Sequence, residues 1–185
     1  MAEIDTRSIG IRIAHYRRMN GVSTDDLADA TSGAVSRAVI ANIESGRKAD
    51  VSVVQLLALA AALGVPPVAL LLPLEEPEAL VTVRPNDDRR AIDTLDWISG
   101  TSSEGHQTPA GKNARAILMG VRGYYRSLQQ LRKAQSRSRA WDDESAAHSD
   151  AEWNALARDV MSWSEDLEGK REFLETLGVG PLEAE

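Results

Sequence analysis

From Val51 to Leu74 the chain carries no charged residue, and that run governs what the sequence can fold into. It is long enough to span a bilayer, yet its middle reads Leu63-Gly64-Val65-Pro66-Pro67. Glycine followed by two prolines stops one helix and restarts another. No Lys/Arg cluster or aromatic belt flanks the run, so it reads as two short helices that need apolar cover from elsewhere in the chain.

The residues before it can supply that cover. Ile9, Ile13 and Tyr16 share one helical face, and Gly21 marks its end, giving a helix over 9–20. Ser23 with Asp26 forms a capping box for a second helix through Leu27 and Ala28. After the small-residue connector Thr31-Ser32-Gly33-Ala34, Ser36 caps a third helix over 37–45 whose inward face is Ile40 and Ile43. Ser52 with Gln55 opens a fourth over 53–63, and a fifth lies near 67–72.

The order and spacing of these residues resemble the phage-repressor and Cro-like helix-turn-helix family, often called XRE. The matching positions are Ile9-Gly10, Ile13, Arg17, Leu27-Ala28, the run Ser36-Arg37-x-x-Ile40-x-x-Ile43-Glu44-x-Gly46-Arg47, Leu56-Leu57-x-Leu59-Ala60-x-x-Leu63-Gly64-Val65 and Leu70-Leu71. The resemblance covers roughly 9–72, under half of the chain. It implies an all-α, five-helix, lambda-repressor-like domain whose third helix enters the major groove of double-stranded DNA. Carried over by position, Arg37, Ala38, Val39 and Asn42 become base readers. Arg37 suits guanine O6 and N7, Asn42 adenine or a phosphate, and Ala38 or Val39 a thymine methyl. Thr24, Ser36, Arg47 and Lys48 become phosphate contacts, which set register without reading sequence. Arg17 and Glu44 match a structural salt bridge. The connector between the second and third helices is longer than the family's usual tight turn.

Charge is segregated along the rest. The formal net charge is −7, yet residues 109–140 hold eight basic groups and no acidic one, while 141–185 hold three basic and thirteen acidic. Residues 1–72 balance at seven of each, which is low for a DNA binder. Residues 74–108 read as an acidic linker with a short helix capped by Asn86, and Val81-Thr82-Val83 is too short to assign as a strand.

From Ala110 through Ala114, Ile117, Val121, Tyr124, Leu128 and Leu131 the apolar spacing alternates four and three, a coiled-coil seam. A second seam follows the capping box Ser149/Glu152: Trp153, Leu156, Val160, Trp163, Leu167, Leu174 and Leu177, interrupted by Lys170, with Gly169 a potential break. Two seams give a C-terminal helical hairpin or coiled coil over 109–185 that forms a homodimer, adds DNA contacts, or both. Lys112, Arg115, Arg122, Arg126 and Lys133 lie away from the first seam as an outward basic face, a second contact to phosphate. The expected domains are therefore 1–73, 74–108 and 109–185.

Nothing here forms a catalytic or cofactor site. Gly105 to Asn113 resembles a phosphate loop only superficially, with Asn where Ser or Thr must hold Mg²⁺. His148-Ser149-Asp150 are contiguous and read as a helix cap. The three histidines are far apart and cysteine is absent, so no metal ligation, thiol chemistry or disulfide is expected. The first residues lack a secretory pattern, which leaves a cytoplasmic, nucleoid-associated, non-enzymatic regulator without cofactor as the expectation. The function that follows is sequence-specific DNA binding, foremost a repressor of the phage or prophage immunity type. Two alternatives remain open: an antitoxin-like module whose acidic tail binds a protein partner, and a ligand-sensing regulator in which Trp97, Trp153, Trp163, Tyr124 and Tyr125 line a pocket.

Overall fold

The computed structural model describes residues 2–104, 107–143 and 148–182. The chain divides into two compact units, Met1–Ser99 and Gly100–Glu185.

The first unit contains α1 (Thr6–Met19), α2 (Thr24–Ala30), α3 (Arg37–Glu44), α4 (Val53–Leu63) and α5 (Pro67–Leu71). Capping side chains set the starts. Asp5/Ser8, Ser23/Asp26 and Ser52/Gln55 each make a reciprocal capping box, and Ser36 caps α3. The Asp5 box moves the start of α1 three residues ahead of the expected Ile9. Pro67 opens α5 without a side-chain cap, since its missing N–H leaves one fewer donor to satisfy. Gly64 takes a left-handed conformation (φ 70°) and ends α4, as the Gly-Val-Pro-Pro reading requires.

Ile9, Ile13, Leu27, Val35, Ile40, Ile43, Leu56, Leu59, Leu63 and Leu70 form one buried cluster. The uncharged run thus turns one face of α4 inward, while Val53 and Val54 remain exposed. Among the described residues, no helix is long and apolar enough to cross a membrane. Gly10 sets the distance between α1 and α3: a Cβ there would lie 2.2 Å from the carbonyl oxygen of Ile43. The obstacle is backbone and cannot swing aside, so only glycine permits this approach.

The region expected as a linker is largely folded. Strands β1 (Ala2–Glu3), β2 (Leu80–Arg84) and β3 (Asp87–Arg90) form a small sheet in that order, β1 parallel and β3 antiparallel to β2. Asn86 is not a helix cap. It occupies the tight β2–β3 turn at φ 64°, a conformation asparagine tolerates better than most residues. The helix expected there, α6 (Ala91–Ser99), begins only after β3. Leu72, Val81 and Ala91 form a small buried cluster with Ile4, Leu74 and Leu95 packed against it. The protein is therefore mostly helical, as the sequence predicts, with this small sheet added to the helical framework. The break between compact units falls after Ser99.

In the second unit α7 (Pro109–Asp143) and α8 (Asp150–Thr176) pair as a helical hairpin. Tyr124, Leu128, Leu131, Leu167 and Leu174 form its core, flanked by Val121, Val160 and Trp163. Ala110 and Ala114 are exposed, so the packed seam is shorter than the sequence pattern. Gly169 does not break α8. Lys170 interrupts the apolar seam because it has polar partners: its Nζ pairs with Asp166 and donates to Ser127 Oγ at 3.0 Å, and the Ser127 hydroxyl donates to the Asp166 carboxylate. Ser127 is 2% exposed, so this three-residue network gives its buried hydroxyl polar partners on α8.

Gly10→Ala is expected to destabilise the first unit by about 3 kcal/mol, because α1 and α3 must move apart. Urea unfolding followed by circular dichroism checks it; an unchanged midpoint would contradict the close approach. The Lys170 ammonium and Ser127 hydroxyl hold the Asp166 carboxyl below the usual carboxylate range. A depressed folded-state value stabilises the hairpin above the unfolded pKa of about 4 and is lost as pH falls through the folded value. Wild type should therefore lose more stability than Asp166→Asn between pH 6 and pH 3, measured as the shift in urea midpoint.

Candidate nucleic-acid interface

The helix-turn-helix element is α2, a connector and α3. Thr31 organises the connector, its hydroxyl donating to the Ala28 carbonyl at 2.7 Å and accepting from the Val35 amide at 3.1 Å. Ser32 and Gly33 adopt positive φ (54° and 84°), and Val35 drops into the core at 1% exposure. The extra length is therefore an ordered, anchored turn that delivers Ser36 to the start of α3.

Along α3, Ile40 and Ile43 are buried, while Arg37, Ala38 and Asn42 are exposed. Val39 differs from the other three, being partly buried and packed against the core, so it offers less surface than the sequence reading gives it. The Ser36 hydroxyl accepts from the Val39 amide at 3.4 Å, which leaves its own proton for a phosphate oxygen. Thr24 is the first residue of α2 and half-buried. After α3 the Asn42 carbonyl accepts from the Arg47 and Lys48 amides at 2.9 and 3.1 Å, a tight turn that places both cations just beyond the helix. Arg47 Nε donates to Ser45 Oγ at 3.0 Å, and Lys48 pairs with Asp50 at 3.2 Å.

Behind this face Arg17 grips Glu44 with two hydrogen bonds of 2.7 and 2.8 Å and donates a third to the Val22 carbonyl at 3.0 Å. Both side chains are mostly buried, with 16% and 14% exposure. The two-pronged contact joins α1, the turn before α2 and the end of α3, with the geometry that makes arginine–carboxylate pairs strong. Glu44 raises the already high pKa of Arg17, so the guanidinium stays charged.

Asp25 is a residue the sequence reading missed. Its carboxylate lies 2.9–3.0 Å from Arg37 Nε. A separation of twelve residues across an irregular connector has no periodic signature, so only the folded α2–α3 geometry reveals the pair.

Within the second unit Lys112, Arg122, Arg126 and Lys133 are exposed along α7. Arg115 departs from the expected outward face: it is half-buried and donates to the Ser102 and Thr101 carbonyls at 3.0 and 3.1 Å. Arg137 of the same helix pairs with Asp159 of α8 at 3.4 Å.

The aromatic residues go to separate places. Arg89 lies over the Trp97 ring at 5.3 Å, Tyr124 is buried in the hairpin, Trp163 packs against its core, and Trp153 meets Trp141 edge-on at 5.7 Å. Ser149 caps α8, and His148 stacks on Trp141 at 4.0 Å. Gly105 and His106, which belong to the superficial phosphate-loop reading, lie outside the described residues. Among the described residues, no group of three His, Cys, Asp or Glu could hold a metal ion.

No curated protein and no solved structure matches the chain. Residues 8–72 do match a family model, that of a helix-turn-helix domain, and they span α1 through α5 apart from the first two residues of α1. Residues 8–72 are thus similar to a helix-turn-helix domain of a DNA-binding family related to XRE, which suggests a DNA-binding regulator.

Proposed function

We propose that this protein is a sequence-specific transcriptional repressor that reads the major groove with α3. The observation that carries the reading is the division of α3 into a buried side, Ile40 and Ile43, and an exposed side, Arg37, Ala38 and Asn42. The exposed residues have the chemistry of base-edge contacts: a two-pronged donor for guanine, a methyl for thymine and an amide for adenine. Thr24, Ser36, Arg47 and Lys48 surround them as phosphate contacts that hold register. A regulator of this size acts most simply by occupying a promoter, and a repressor of the phage or prophage immunity type is the form we favour.

The first seventy-two residues carry no net charge and supply little salt-dependent affinity by themselves. In our reading the exposed cations of α7 provide the missing phosphate contacts, and the α7–α8 hairpin is the homodimer element. The protein would then reside on the nucleoid, without cofactor and without enzymatic activity.

Fragments of the source genome and of any resident phage, selected on the purified protein near physiological salt, should share a motif. A palindrome is expected if two copies each place one α3 on a half-site about one helical turn apart. Arg122→Glu with Arg126→Glu should retain the motif, weaken binding and flatten its salt dependence. Absence of any shared motif would overturn the repressor reading, and an unchanged salt slope would overturn the α7 contact.

A further inference from the structure

We infer that Asp25 is a positioning residue for base reading: it holds the Arg37 guanidinium by its Nε edge and presents the opposite pair of nitrogens to a guanine. This rests on the proposed reading of α3 as the recognition helix.

The geometry is specific. Arg37 is the first residue of α3 and Asp25 the second residue of α2, so the pair bridges the two helices that flank the Thr31–Ser36 connector. The Asp25 carboxylate approaches Nε with its oxygens at 2.9 and 3.0 Å. A guanidinium is a planar fork with five N–H donors. With the Nε donor engaged by Asp25, the two terminal nitrogens still form an end-on fork, and guanine O6 and N7 are spaced to accept from such a fork. An unrestrained arginine must give up much rotamer freedom to make that contact, and the carboxylate restricts it beforehand.

The sign of the charge separates this role from simple affinity. Asp25 is exposed and stands at an interface with polyanionic DNA, where a carboxylate opposes binding to every sequence. Both partners are 67% exposed, so the pair contributes little to folding. A feature that weakens binding everywhere while orienting one base reader raises discrimination, by penalising sites that offer Arg37 no guanine.

The test compares full-length wild type with Asp25→Ala, Asp25→Asn and Arg37→Ala on the selected DNA and on variants substituted one base pair at a time. The two Asp25 variants remove the same charge, but asparagine keeps an oxygen that accepts from Nε. Circular dichroism establishes that each variant is folded. Asp25→Ala should bind non-specific DNA as tightly as wild type or more tightly, yet lose about tenfold in discrimination at the one guanine position that Arg37→Ala also abolishes. Asp25→Asn should recover part of that discrimination. Preserved guanine discrimination in Asp25→Ala would overturn the inference, as would an Arg37→Ala protein with the wild-type preference. A wild-type protein with no preference at any position would instead remove the reading of α3 on which the inference stands.

Discussion

The contact of α1 with the Ile43 carbonyl, possible only because Gly10 has no side chain, is the constraint on which the rest of the domain depends. It brings α1 close enough for Arg17 to reach Glu44 with both prongs, and that pair fixes the C-terminal end of α3. The other end is fixed by the Ser36 cap and by Val35 in the core. Held at both ends and packed through Ile40 and Ile43, α3 has only its outer side left for solvent or a partner. A short helix of eight residues could not keep that presentation alone, since isolated helices of this length are unstable in water.

Polar groups play different parts in the two units. In the helix-turn-helix domain the buried pair Arg17–Glu44 is structural, and the exposed pair Arg37–Asp25 lies where function is proposed. In the hairpin the network of Ser127, Asp166 and Lys170 joins α7 to α8 beside the apolar seam. The hairpin is also divided by charge. Outside its polar contacts α7 is predominantly basic and α8 predominantly acidic, and the Arg137–Asp159 pair spans them. Averaging these segments gives an acidic protein, which conceals the cationic helix.

Much of the helical fold was legible because serine caps announce helix starts locally. Ser23, Ser36, Ser52 and Ser149 each stand before the helix they were expected to open. The Asp5/Ser8 box lies ahead of the first apolar-periodic residue, Ile9, so apolar spacing alone starts α1 three residues late. The β2–β3 hairpin was misread for a physical reason: asparagine followed by two aspartates suits a helix start as well as a tight turn, and the pairing of β2 with Ala2–Glu3 spans nearly eighty residues. Apolar spacing found the hairpin seam but overextended it to Ala110 and Ala114, because alanine fits either a packed or an exposed position. Lys170 looked like a flaw until Ser127 and Asp166, one on each helix, were placed beside it. At the candidate site the resemblance supplied positions along α3, but spacing could not show that Val39 leans inward, that Arg115 turns to a loop or that Asp25 reaches Arg37.

Entry of α3 into the major groove with Arg37 on a guanine is tested most directly by methylation interference on the selected DNA. Methylation at guanine N7 lies in the major groove and methylation at adenine N3 in the minor groove, so one treatment probes both. N7 methylation of one guanine per binding element should block the wild-type protein and have no further effect on Arg37→Ala. Interference confined to adenine N3, or N7 interference undiminished in Arg37→Ala, would contradict it.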